Sequence, residues 1–176
     1  MEKISKYLTL EEATRSNTAR RNGLSNQPGS IEKINIINTA RMLYDPIVDY
    51  FGIKPFLHCF FVTQEVNNLR AGAYVKSKHV KGIAFDADYD SVPEAVDRGI
   101  TNSQVFYYVF NNLDFDAIIW EMGNDENPEW LHLQYEEGKN RRLIVLAYRD
   151  GNGEVQYEYF KILPEFQRRK REVYGG

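Results

Sequence analysis

The stretch SKHVKGIAFDAD, residues 77–88, sets two side chains that can hold a divalent metal, His79 and Asp86, on either side of Gly82. From Gly82 onward the residues alternate. Ile83, Phe85 and Ala87 fall on one face, and Ala84, Asp86 and Asp88 on the other, the pattern of a strand with two unlike faces. Gly82 lets the chain turn between the loop that carries His79 and the strand that carries Asp86. Two ligands do not make a site, because a catalytic zinc takes three protein ligands and keeps a further position open.

A third candidate stands in NPEWLHLQY, residues 127–135. As a strand, this segment turns Trp130, His132 and Gln134 to one face and Leu131, Leu133 and Tyr135 to the other. Glu129 lies three residues before His132, where a carboxylate can serve as general base rather than as ligand. His79, Asp86 and His132 as ligands with Glu129 as base compose a complete hydrolytic zinc site. Spacing alone leaves this open against a polar loop and a solvated strand residue, since short motifs match often by chance. His58, inside the apolar run PFLHCFFV (55–62), reads as structural.

The rest of the chain frames these motifs. With 176 residues, 43% of them hydrophobic and 14% aromatic, it can build one domain with a real core. A net charge of −3 gives no reason to expect nucleic acid as a partner. Cys59 is the only cysteine, which rules out an internal disulfide and a zinc cage built from cysteines. MEKISKYLTLEEATRS lacks the apolar run of a signal peptide, and no stretch reaches membrane-spanning length. Synthesis in a cytoplasm without an export signal is therefore expected.

Thr9 and Glu12 form a capping box that opens a helix, Ser16 caps a second, and Gly23 ends it. A long amphipathic helix is expected over 30–50, with Pro46 near its end and Gly52 beyond it. Strands are expected at 55–62, 82–88, 117–121, 130–135 and 142–148, and a helix at 102–112. DGNG at 150–153 predicts a hairpin that pairs 154–162 with the preceding strand. The class that follows is α+β, with N-terminal helices packed on an antiparallel sheet. One domain is expected over 1–163, its C-terminal hairpin at 144–163, followed by a basic tail at 164–176.

These motifs come in an order that resembles the zinc D-Ala-D-Ala carboxypeptidases and the related phage peptidoglycan endopeptidases, which share the hedgehog/D-Ala-D-Ala-peptidase fold. The resemblance runs over 8–148. It rests on LTLEEATRSNTARRNGLSNQP, on Ser77, His79, Gly82, Ala84 and Asp86, on FDAIIWE, on Glu129 with His132 in PEWLHLQY, and on Asn140, Arg141 and Arg142. It implies a Zn²⁺ cofactor held by His79, Asp86 and His132, with Glu129 as catalytic base. It implies peptidoglycan stem peptides as substrate and a phage-encoded enzyme, an endolysin or a virion-associated protein, that acts at the cell wall after release or from the virion.

One departure stands out. The family carries Ser-Gly-Tyr-Arg upstream of the histidine motif, and its arginine binds a substrate carboxylate. Phe60, Phe61, Val62 and Thr63 occupy that place here, while Asn68 and Gly72 keep the later part of the pattern. Arg70, Lys76 and Lys78 are the nearby cations that can replace the arginine. Loss of a carboxylate clamp harms a carboxypeptidase more than an endopeptidase, which meets no free carboxylate at the cut. The same loss fits a structural virion or assembly protein on this fold, or a module that binds cell-wall peptide without cutting it. Ser77 reads as a hydrogen-bonding neighbour of the site or a turn residue, and Trp130 as a cleft wall or a packing residue.

Overall fold

The computed structural model describes residues 2–70 and 76–175. Its centre is a six-stranded sheet in the order β1-β2-β4-β3-β5-β6. The strands are β1 (Phe56–Cys59), β2 (Ala84–Asp88), β3 (Ala117–Glu121), β4 (Trp130–Gln134), β5 (Leu143–Arg149) and β6 (Val155–Phe160). The α+β class is as expected, but the all-antiparallel sheet is corrected. β3 and β5 run parallel, from Ala117 opposite Leu143 to Glu121 opposite Ala147. The cause is topological: β4 already occupies one side of β3, so the chain crosses over and adds β5 on the other.

Local chemistry explains the helices. Thr9 Oγ1 accepts from the Glu12 amide while the Glu12 carboxylate accepts from the Thr9 amide, a reciprocal cap on α1 (Leu10–Ala13). Ser16 Oγ caps α2 (Asn17–Arg21) by accepting from the Ala19 amide. The long helix expected over 30–50 is continuous but not uniform. The first part, α3 (Ser30–Thr39), passes through a π-helical turn (Ala40–Tyr44) into α4 (Asp45–Phe51). Gly52 ends it with φ 72°, the left-handed cap that glycine adopts freely. Ile31, Ile34 and Met42 are exposed, and Ile36, Leu43, Tyr44 and Ile47 are buried. Short helices follow at α5 (Gln64–Asn68) and α6 (Pro93–Asp97), and α7 occupies Asn102–Asn112, where the sequence places it.

The expected tail at 164–176 is corrected as well. Leu163–Tyr174 form α8, which packs on β5 and β6. Phe166 is fully buried and stacks on Phe106 at 5.2 Å between ring centroids. Lys170 lies over the Trp120 ring at 3.8 Å, its ammonium held by the Asp125 carbonyl. Arg169 forks onto Glu158 at 2.7 and 2.8 Å. The basic residues Arg168 and Arg171 face outward and hide an inward row of Phe166, Lys170 and Tyr174. One hydrophobic cluster runs from Ile4 to Phe166, so α8 belongs to the domain. Phe166→Ala is expected to cost about 3–5 kcal/mol, the usual loss for a buried phenylalanine, read as a lowered denaturant midpoint with an unchanged slope.

Helices α3, α4, α7 and α8 bury one face of the sheet, against Phe85, Leu131, Leu133, Ile118, Trp120 and Leu146. Alternation turns the polar set to the other face. Among the described residues, no helix is long and apolar enough to cross a membrane.

Candidate metal centre

The register of three strands gathers the site. Asp86 on β2 is opposite His132 on β4, so the two side chains emerge from the same face. A bulge in β1 brings in a third group. Leu57 pairs with Ala87, yet Cys59, not His58, pairs with Asp86, so one extra residue turns the thiol toward the carboxylate. His79 comes from outside the sheet, on a single 3₁₀ turn, Lys78–Lys81.

Gly82 closes that turn with φ 70°, and a Cβ there would stand 2.7 Å from the Glu32 carbonyl oxygen and 2.7 Å from Ile36 Cγ1. Both the backbone angle and the contact with α3 therefore require glycine. Asn26 fixes the segment opposite. Its amide donates to the Thr14 and Phe61 carbonyls at 2.7 and 3.0 Å, and its oxygen accepts from the Thr63 amide at 2.8 Å. That holds Phe60, whose carbonyl lies 3.1 Å from His79 Nδ1.

The resulting cluster centres on one carboxylate. His132 Nδ1 stands 2.7 Å from Asp86 Oδ1, and His79 Nε2 stands 3.2 Å from Asp86 Oδ2. The two rings meet edge to face, 4.8 Å between centroids. Gln134 lies 2.9 Å from His132 Nε2. Its amide donates there, which leaves the His132 proton on Nδ1, facing Asp86. Cys59, His79 and Asp86 each offer a ligand atom, all within 4.8 Å of one another. His79, Asp86, His132 and Cys59 are all buried.

The electrostatics are those of two rings arranged around one anion. Burial works against ionising Asp86, but the two histidines outweigh it and hold its carboxyl far below the usual range. Burial also opposes charge on His79, and Asp86 overcomes it, so the His79 pKa stands well above the usual value. Burial lowers the His132 pKa, and the charges on His79 and Arg70 lower it further. The metal-free cluster thus holds one imidazolium, His79, and one neutral ring, His132. Cys59, His79 and Asp86, a thiol, an imidazole and a carboxylate, could together hold a metal ion once deprotonated, so these residues fit such a group.

The structure places His79 and His132, expected from the sequence, on either side of Asp86, but the group whose ligand atoms could share one ion is Cys59, His79 and Asp86, without His132. Trp130 is half-buried on the same face of β4, its ring 6.0 Å from that of His58. His58 itself lies 3.3 Å from Asp88. Arg70 reaches the cluster, its Nη1 donating to Cys59 Sγ at 3.5 Å. Lys78 pairs instead with Glu136, and Lys76 is exposed. Ser77 begins the 3₁₀ turn without capping it. Glu129 is exposed; its amide donates to the Glu121 carbonyl and its own carbonyl accepts from Asn102. Gly72 lies outside the described residues.

Sequence reasoning missed Glu121. It ends β3 on the face that carries His132 and is 7% exposed. Burial, and then the Asp86 charge, push its pKa up to about 8. The one available signal was alternation through Ala117, Ile119 and Glu121, which becomes informative only when β3 is known to pair with β4.

A cavity of about 620 Å³ between α4 and α7, lined by Tyr50, Tyr108 and Arg98, contains none of these residues. Compared with models of known protein families, with curated proteins and with solved structures, the chain matches none.

Proposed function

We propose that this chain is a zinc-dependent peptidase that hydrolyses peptide bonds in bacterial peptidoglycan, cutting within the stem peptides, and that it is phage-encoded, an endolysin or a virion-associated protein. The observation that carries the reading is Asp86, buried on a strand with a histidine on each carboxylate oxygen. His79 and Asp86 would hold the metal, with Cys59 in the same group of ligand atoms and His132 against the other Asp86 oxygen as the further ligand. Such an ion supplies Lewis-acid activation of a water and a carbonyl oxygen.

The chain's own residues do the rest. The Phe60 carbonyl accepts from the outer nitrogen of His79, which orients that ring toward Asp86, and Gln134 lies against the outer nitrogen of His132. Trp130 forms part of the wall beside His132. Phe60, Phe61 and Val62 are buried and offer no charge where the resembled family has its arginine. That supports an endopeptidase over a carboxypeptidase, with Arg70 as the one cation in contact with the cluster among the described residues.

The test offers two substrates to the zinc-loaded protein: cross-linked peptidoglycan, and a pentapeptide stem that ends in D-Ala-D-Ala. Mass analysis is expected to find internal cleavage of the first and little free D-alanine from the second. Rapid release of D-alanine would reject the endopeptidase assignment and give Arg70 the carboxylate-binding role.

A second reading is favoured by Cys59. A thiolate added to His79, Asp86 and His132 would give four protein ligands, the closed set of a structural metal. Inertness toward both substrates with zinc bound would select that reading, a structural virion or assembly protein.

A further inference from the structure

We propose that Glu121, not Glu129, is the general acid–base residue of this site. The assignment rests on the hydrolase reading above. Glu121 is opposite Trp130 across β3 and β4 and therefore diagonal to His132. Diagonal neighbours on one face of a sheet are within reach of long side chains. The Glu121 side chain emerges from the same face as His132 and Asp86. It is more than nine-tenths buried, and among the described residues no hydrogen bond or ion pair engages its carboxyl. Its oxygens are not among the fully enclosed, unpartnered atoms and so keep a contact with solvent, which places a proton-exchanging carboxyl beside a cluster of ionisable groups.

The surroundings separate the two glutamates. Glu121 feels the charges of Asp86 and His79, and Tyr157 on β6, two strands away, feels Glu121. Glu129 is exposed, one residue before β4, and Tyr174 at the end of α8 feels both glutamates alike. The Glu121 pKa of about 8 lies near neutrality, where a group that takes and returns one proton works best.

In the step assigned to it, the Glu121 carboxylate accepts a proton from the attacking water as the water oxygen bonds to the amide carbonyl carbon. The same proton then passes to the amide nitrogen as the carbon–nitrogen bond breaks. The products are a carboxylic acid and an amine, and Glu121 returns to its starting form.

Glu121→Gln and Glu129→Gln, each zinc-loaded, are compared with the wild type for metal content and for fragments released from peptidoglycan. Both variants are expected to keep their zinc. Glu121→Gln is expected to lose about 10²–10⁴-fold in rate, and Glu129→Gln to stay within about threefold of wild type. A second measurement does not depend on activity. The infrared carbonyl band of a protonated carboxyl, recorded on metal-free protein near pH 6.5, is expected to vanish in Glu121→Gln and persist in Glu129→Gln. An active Glu121→Gln, or a band that survives in it, overturns the assignment while leaving the hydrolase reading intact. A wild type that binds zinc and releases nothing overturns that reading and this assignment together.

Discussion

Asp86→Asn is expected to lower zinc affinity by more than about a hundredfold. Loss of an outer partner of a ligand alone costs roughly 10–100-fold, and Asp86 is the carboxylate at the centre of the donors. The amide cannot supply the negative charge that both histidines face. In metal-free protein the same change leaves His79 buried without its counter-charge, a loss of about 3–5 kcal/mol. Its pH dependence has a definite sign. Asp86 is depressed in the folded state, so its contribution is complete above the unfolded carboxyl value, about 3.9, and fades as the pH falls below it. His79 is raised, so its share is complete below about 6.5 and fades as the pH climbs through its folded value. The difference in unfolding free energy between wild type and Asp86→Asn is therefore largest between about pH 4 and 6.5, measured by urea titration at each pH. A difference that stays flat from pH 3 to 9 would show that the pair does not form.

Glu121→Gln is expected to act in the opposite direction on stability. The folded state holds Glu121 near 8 against an ordinary value of 4.5, so it binds a proton that the unfolded chain has already released. Stability therefore declines as the pH rises from about 4.5 to 8. The decline amounts to a few kcal/mol at most, since one pH unit corresponds to about 1.4 kcal/mol. The variant has no proton to lose and escapes that decline. It is expected to match wild type near pH 4 and to exceed it above pH 7 in metal-free protein. A gain in stability joined to a loss of hydrolysis is the pattern of a group kept strained for chemistry. A variant less stable than wild type at pH 8 would mean that Glu121 has a structural partner.

What the sequence revealed and concealed follows from the range of the forces involved. His79, Gly82, Asp86 and His132 were legible because each lies in a short segment whose turn or alternation is local. The hairpin at 150–153, the caps at Thr9 and Ser16, and α7 were legible for the same reason. Cys59 was not. Strict alternation from Leu57, which packs on the helix side, sends residue 58 to the site face and residue 59 away. Only the bulge brings residue 59 to the site face as well, while His58 stays there beside Asp88 and Trp130. Glu121 was hidden because its face depends on pairing with β4, a long-range fact. The parallel insertion of β5 is long-range too. Composition concealed α8: its three arginines and one lysine dominate a count, while Phe166, Lys170 and Tyr174 recur every fourth residue on the inward side. The π-helical turn likewise shifts the phase of the helix over 30–51, and no periodicity over that range can anticipate it.

The proposed function stands on a metal ion held at Asp86 by its buried neighbours, Cys59 and His79 foremost. The most direct measurement is the zinc content of the purified full chain after loading and desalting. About one zinc per chain is expected, the stoichiometry of a single site with three or four protein ligands. Protein that emerges from the column free of zinc, folded and with Cys59 reduced, would contradict it.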